Sequence, residues 1–374
     1  MRTPSNRFSG NVLLLLLCMA LSFVASKTMA QDSTTASKID VSGFVDAYYS
    51  KNIAQPSTRK NELRNFDIAE NQFNLSLAEL VFQKRSGPVG FRFDLDFGST
   101  NDLVQPASTS TLSVLQQGYL TAVIPIGQGL TVDAGKFVTH MGNEVIESKD
   151  NWNYSRSYLF AFAIPYYHTG IRLMYPVSNA LTAALHAVNG WNSGTDNNDF
   201  KSLGLTLNYA ITGSTGFIVN AMDGFENLTT FENGKRTVFD FIISHQLTES
   251  FALVLNADYG QAGTTAGLAI WKGAALYGRY VINPKYAVAL RGEIFDDPQG
   301  YATGLGTSGI FKVDVKEVTG TYEYKFADAL LLRGELRYDF SNGPAFDKKA
   351  DATTSGVGTE SSQLTVLIGG VVTF

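Results

Sequence analysis

Residues 91–97 read F-R-F-D-L-D-F, and Phe91, Phe93, Leu95 and Phe97 alternate without a slip with Arg92, Asp94 and Asp96. A period of two is that of a β-strand with one apolar and one polar face. In a soluble sandwich the apolar face turns inward to a core. In a membrane barrel it turns outward to lipid, and the charges line the inside. The seven residues fit both architectures, so the remainder of the chain must decide.

The N-terminus restricts the choice. Arg2 and Arg7 precede an uncharged apolar stretch from Val12 to Ala25, which Thr28-Met29-Ala30 follow. This is the layout of a cleaved secretory signal over residues 1–30, too short to span a bilayer as a helix. The only cysteine, Cys18, lies within it. Leu17 is not small and the apolar run continues beyond Cys18, so a lipoprotein cleavage box is not formed. The mature chain then has no disulfide, and a closed hydrogen-bonded barrel is one way to hold it together. No apolar run of 18 or more follows residue 30. Removing the signal removes three cations and leaves 26 basic against 34 acidic side chains, a net of −8. That balance argues against nucleic acid as a partner and mildly favours cations as solutes.

Period-two segments bounded by turn residues predict sixteen strands, beginning near Ile39, Gln72, Val89, Gln117, Leu130, Tyr166, Leu181, Ser202, Thr215, Arg236, Phe251, Ala269, Tyr286, Lys312, Leu330 and Ser362. Most are about 9–12 residues long, as a tilted membrane-crossing strand requires. Short connections at 85–88, 125–129, 176–180, 212–214, 248–250, 283–285 and 327–329 alternate with long ones near 51–71, 98–116, 140–165, 192–201, 223–235, 260–268, 296–311 and 340–361. Short turns at one end and long loops at the other are the mark of an up-and-down barrel inserted from one side. A Greek-key sandwich would mix them. The expected fold is therefore all-β: a transmembrane up-and-down antiparallel β-barrel of about 16 strands over residues 39–374. Its turns would be periplasmic, its long loops extracellular, and residues 31–38 a short periplasmic segment.

Strand parity agrees. Leu330, Leu332, Leu336, Tyr338 and Phe340 share one face, and Arg333, Glu335, Arg337 and Asp339 the other. Tyr209, Tyr259, Tyr280, Tyr322 and Tyr324 suit aromatic girdles at the two interfaces. Parity breaks near Leu77, where a β-bulge is expected, and at Lys272, which can snorkel from a membrane edge. The last strand carries Leu364, Val366, Ile368, Val372 and the terminal Phe374 on one face. Ending there on an aromatic, it resembles the signal read by the bacterial barrel assembly machinery.

Several motifs stand in an order that resembles the β-barrel porin family of the OmpL-like type, over most of the mature chain. They are Asp133 to Phe137 (DAGKF), Gly142-Asn143-Glu144, Asn151 to Ser157 (NWNYSRS), Pro165 to Arg172 (PYYHTGIR), Val188 to Asn192 (VNGWN), Arg291 to Gly300 (RGEIFDDPQG) and Leu332 to Asp339 (LRGELRYD). The resemblance implies an outer-membrane pore in a Gram-negative envelope, and it transfers architecture better than solute choice.

If the polar parity faces a lumen, its charges set the field through which solutes pass. Candidates to line the pore are Arg92, Asp94, Asp96, Arg172, Arg279, Arg291, Glu293, Arg333, Glu335, Arg337 and Asp339. The simpler account is that they pair across strands and stabilise the wall. Acids interleave nearly every arginine, so no unneutralised ladder of a dedicated phosphate channel is present. The loop at 140–165 carries Glu144, Glu147, Asp150 and Arg156 with Trp152 and Tyr154. By resemblance to general porins it is expected to fold inward as a constriction.

The expected function is passive diffusion of small hydrophilic solutes or ions, with lipid as surroundings, an optional homo-oligomer, and no cofactor. Rival readings are a barrel lipase or protease, a plugged structural or adhesive barrel, and a soluble sandwich. Gly304 to Gly309 spells G-x-G-x-x-G but lacks the following helix of a dinucleotide site. Asn227-Leu228-Thr229 is a glycosylation sequon in spelling only. His140, His168, His186 and His245 lack metal-ligand spacing, and Ser244-His245 lacks the partners of a hydrolase site.

Overall fold

The computed structural model describes residues 38–105, 113–196, 198–226, 234–312, 314–351 and 358–374. The signal segment with Cys18 and the sequon at Asn227 lie outside the described residues. Sixteen strands follow one another: β1 (Asp40–Asn52), β2 (Gln72–Ser86), β3 (Val89–Phe97), β4 (Leu115–Ile124), β5 (Leu130–Val138), β6 (Tyr167–Pro176), β7 (Leu181–Val188) and β8 (Ser202–Thr212). Then come β9 (Thr215–Phe225), β10 (Lys235–Gln246), β11 (Phe251–Thr264), β12 (Gly267–Asn283), β13 (Tyr286–Asp296), β14 (Asp314–Ala327), β15 (Leu330–Ser341) and β16 (Ser362–Thr373). Each pairs antiparallel with its neighbours in sequence, and β1 pairs with β16 to close the barrel. Closure removes every sheet edge, so each strand's backbone polar groups find partners within the wall.

The opening stretch resolves in favour of lipid. Phe93 and Phe97 are 44% and 47% exposed on the outer face, whereas Asp94 and Asp96 are 0% and 1% exposed on the inner one. Leu336, Tyr338, Tyr280 and Tyr322 also point outward. At the short-turn end Tyr286 stacks on Tyr322 and Tyr324 as part of a girdle.

Both parity breaks have local causes. Asp46 opposes Leu77 and Ala47 opposes Leu75, so Ser76 is the extra residue of a bulge. The bulge turns Ser76 and Leu77 inward together. Lys272 lies on the outer face near the long-loop end, within 3.5 Å of Asp296 on the next strand. Gly135 takes φ +138° within β5, and a Cβ there would fall 2.2 Å from the Gly118 carbonyl oxygen. Only glycine fits that position.

One expectation changes. Residues 260–268 are not a long loop: β11 and β12 continue to Thr264 and Gly267, joined by Thr265 and Ala266. Thr264 Oγ1 accepts from the Ala266 amide and donates to the Gly267 carbonyl, which closes a tight turn. The glycines at 260, 263 and 267 read as loop residues, but Gly260 makes room for the inward Trp271 ring.

The barrel is filled at the level of its third long loop, 139–166. That loop turns inside, and its Met141, Tyr158, Leu159, Phe160, Ala163 and Ile164 join the inward Val188, Met222, Val238, Ile242 and Val254 in one apolar cluster. Phe66 of the first long loop packs on Phe160 and Tyr166 within the same cluster.

Candidate functional site

The inner wall and the third loop are joined by buried charge. Arg291 on β13 donates to Glu144 of the loop at 2.7 Å, to the Ser155 carbonyl at 2.7 Å, and to Glu317 on β14 at 2.5 Å. Glu293 accepts the backbone amides of Tyr158 and Leu159, both at 2.7 Å. Glu335 accepts those of Tyr154 and Ser155 at 2.6 and 3.0 Å. Arg333 donates to the carbonyls of Ser148 and Asn151, and Arg337 to that of Arg156. A carboxylate receiving two adjacent amides, or a guanidinium gripping carbonyls, satisfies loop backbone that would otherwise be orphaned inside the barrel.

Further anchors fix the loop tip. Tyr154 donates its hydroxyl to Asp46 on β1 at 2.7 Å, beside the Ser148 hydroxyl on the other Asp46 oxygen. Its ring lies over Gly369 of β16, where a Cβ would fall 2.5 Å from the ring. Tyr158 donates to Asp339, which also accepts from Arg337 and from Arg64 of the first loop. Arg156 turns back on its own loop, donating to the carbonyls of Val145, Tyr154 and Ile146, with Phe66 under its guanidinium. Burial pushes the Tyr154 and Tyr158 hydroxyls well above the usual tyrosine range, so both stay donors.

The candidate residues therefore divide. Arg291, Glu293, Arg333, Glu335, Arg337, Asp339, Glu144 and Arg156 are buried between wall and loop. Arg92, Arg172 and Arg279 keep side chains 34%, 18% and 30% exposed on the inner face toward the short-turn end. They pair with Asp94, Asp133 and Glu323 at 2.9, 2.7 and 2.8 Å. A cavity of about 520 Å³ at that end is lined by Glu79, Arg92, Lys149, Asp150 and Lys325 among others. Asp150 is exposed and pairs with Lys149, while Glu147 accepts from Gln116. Asp96 faces Glu79 across the β2–β3 ladder.

Sequence reasoning missed a cluster of imidazoles. His140 at the loop's start stacks on His186 of β7, centroids 3.9 Å apart, and lies 5.5 Å from His168 of β6. Gly204 leaves the space: a Cβ there would fall 3.0 Å from His140 Cε1. Burial and the two neighbouring imidazoles hold His140 well below the usual histidine range, so it is neutral. His245 sits apart, bonded to Thr215 at 2.9 Å on the outer face, with Ser244 on the inner one.

A closed sixteen-strand barrel whose third loop is bound to a charged inner wall is porin architecture, and the sequence matches the corresponding family model across residues 38–374. The chain belongs to the Putative beta-barrel porin-2, OmpL-like family. It is thus an outer-membrane porin of a bacterium. Solved porins share the fold of this family member. The anion-selective porin from Comamonas acidovorans aligns with a TM-score of 0.62 at 12% identity, over 90% of this chain and 100% of its own. OmpT of Vibrio cholerae in its trimer form aligns at 0.57 and 11%, over 91% and 100%. A Rhodopseudomonas blastica porin variant aligns at 0.53 and 12%, over 90% and 100%. At such identities the likeness concerns the fold alone. No functionally curated protein matches the sequence.

Proposed function

We propose that this porin passes small hydrophilic solutes by passive diffusion, and that the third loop is the constriction. The observation that carries this reading is the double anchorage of the loop: Glu293 and Glu335 hold its backbone amides while Arg291, Arg333 and Arg337 hold its carboxylate and carbonyls. A loop held this way fixes a cross-section rather than leaving one to fluctuate. The remaining path runs past Arg92, Arg172 and Arg279, whose side chains are more exposed than the acids they face, and past Lys149 and Lys325, each paired with a more exposed aspartate.

Selectivity follows charges that solutes meet rather than the net charge of the chain. That wall supports a preference for anions, the selectivity named for the similar Comamonas acidovorans porin. The test is the reversal potential of the purified protein in planar bilayers under a KCl gradient. Replacing Arg92, Arg172 and Arg279 by glutamine should move it toward cations, and an unchanged potential refutes the path. The same experiment with Arg333 and Arg337 neutralised reports whether those deeper arginines also act on ions.

A second reading is favoured by the apolar cluster that joins the loop to β7, β9, β10 and β11: a barrel closed until the loop moves. It gives little conductance in the native chain and a marked rise on deleting 143–157. The trimer form of OmpT from Vibrio cholerae supports the same assembly for this chain. Residues 1–30 serve as a cleaved signal in this proposal, 31–38 as a periplasmic lead, and the strand ending at Phe374 as the element presented to the assembly machinery. The channel fold and family give no support to a hydrolase.

A further inference from the structure

The third loop is held to the barrel in two chemically different ways. Its residues 144–159 meet the arginines and carboxylates of β13 and β15. Its stem, where the chain leaves β5, instead sets an imidazole against imidazoles of the wall. His140 stacks on His186 of β7 with centroids 3.9 Å apart, and the His168 ring of β6 lies 5.5 Å away. Both ring nitrogens of His140 and Nδ1 of His186 are buried without a hydrogen-bond partner. Buried polar atoms are seldom left unpaired, and three on two stacked rings call for a reason.

The groups around the stack do not offset a positive charge. His168 is engaged at both nitrogens, by the Gly190 carbonyl at 3.2 Å and the Thr139 hydroxyl at 3.3 Å. Arg172, also on β6, is a cation, and Asp133 of β5 is already paired with it at 2.7 Å. On β8 the stack meets Gly204, which has no side chain, and Thr206, whose hydroxyl bonds His186 at 3.3 Å. On β9 the Ala221 backbone favours a proton on His140, by less than either neighbouring imidazole opposes it. Asp240 of β10 is occupied by the Gly142 amide, Asn220 and Asn256.

We infer that this stack is an acid-operated latch: protonation of His140 and His186 drives the stem of the third loop off the β6–β8 wall and widens the pore. The latch rests on the third loop being the constriction and gives that constriction a control. Two like charges on rings 3.9 Å apart repel, and burial leaves little water to screen them. Arginine keeps its charge at any pH the protein meets. The side of the loop held by Arg291, Arg333 and Arg337 therefore stays fixed, and the motion is confined to the stem. Histidine is the side chain whose charge ordinarily changes between about pH 5 and pH 8. Burial holds His140 below its usual range, so the latch is closed at neutrality and opens in acid.

The experiment is single-channel recording of the refolded protein in planar bilayers with symmetrical KCl, stepped from about pH 7.5 down to about pH 4.5. The native channel should conduct more in acid, the ratio of wide to narrow openings changing by up to about tenfold per pH unit for each proton taken up. His140→Phe keeps a ring in the stack and takes no proton. It should hold the neutral-pH conductance throughout, with its fold verified by heat-modifiable gel mobility. His186→Phe removes the opposing charge and should blunt the response. His245→Phe, on the outer face, should respond as the native chain does. The inference is overturned if native conductance stays constant or falls on acidification, if either stack variant keeps the full response, or if His245→Phe loses it. Equal conductance at every pH removes the latch and leaves the diffusion reading intact, whereas a chain that conducts at no pH overturns both.

Discussion

Arg291 and Glu144 meet inside the barrel at 2.7 Å, with side chains 0% and 3% exposed. The pair joins the wall to the loop, and Glu317 lies on the other side of the same guanidinium at 2.5 Å. Removing one member of a buried pair leaves the other charge uncompensated, at about 3–5 kcal/mol. Arg291→Met should therefore lower the urea midpoint of unfolding in detergent far more than Glu144→Gln. The double variant should recover part of the loss, because without Glu144 the removal of Arg291 no longer strands that carboxylate. Additive losses in the cycle would show that the two side chains are not coupled.

Glu335 makes a separate prediction about the loop tip. Its two oxygens accept the amides of Tyr154 and Ser155, and Oε2 also accepts from Thr321. Glutamine keeps one acceptor and turns an NH₂ toward a donor, which costs about 1–3 kcal/mol where the groups are buried. Glu335→Gln should accelerate hydrogen exchange at the Tyr154 and Ser155 amides and leave that of β7 to β10 unchanged. Gly369→Ala should do the same by a different route, since its methyl would displace the Tyr154 ring. Slow exchange at the tip in both variants would remove the anchor from the account.

These contacts show how far the sequence is legible. Strand positions are local information: alternation and turn residues place all sixteen starts within about two residues of where they lie. The break at Leu77 is legible as a bulge because Ser76 interrupts a single alternating run. The segment 260–268 is not, because its glycines serve a neighbour's bulk, Trp271, as well as turning the chain. The inward loop is half legible. Its acids and aromatics mark it as unusual, and Leu159 to Ile164, an apolar run within a loop, was the signal for packing inside. The partners of those residues lie on β1, β4, β7 and β9 to β16, and nothing in local patterning names a partner across a lumen. The imidazole cluster is silent in sequence for the same reason, since three separate elements supply one ring each.

Glu62 gives a pH dependence of known sign. It lies in the first long loop, where burial and the facing Asp347 push its carboxyl up to about 7, with Lys60 opposing. A raised folded value means the folded chain holds the proton more tightly than the unfolded one. The contribution is complete below the ordinary glutamate range, near 4.5, and is lost as pH rises through about 7. Partial exposure screens its size. The thermal midpoint of Glu62→Gln should therefore gain on that of the native chain as pH is raised from 5 to 8. A constant difference over that window contradicts the assignment.

His140 acts with the opposite sign in an overlapping window, and comparison of variants separates the two. The folded chain buries its ring against His186, with His168 and Arg172 nearby, and all of these resist a positive charge there. The unfolded chain binds the proton near pH 6.5, while the folded chain does so only well below that. The stabilising contribution is present above 6.5 and is lost as pH falls toward the folded value, by at most about 1.4 kcal/mol per pH unit. His140→Phe keeps a ring in the stack and cannot take up a proton. Its thermal midpoint should fall less than that of the native chain between pH 7 and pH 5, whereas Gly204→Ala, which crowds the stack, should lower the midpoint at both. If His140→Phe tracks the native chain across that interval, the ring is not the acid-sensitive element at the loop's stem.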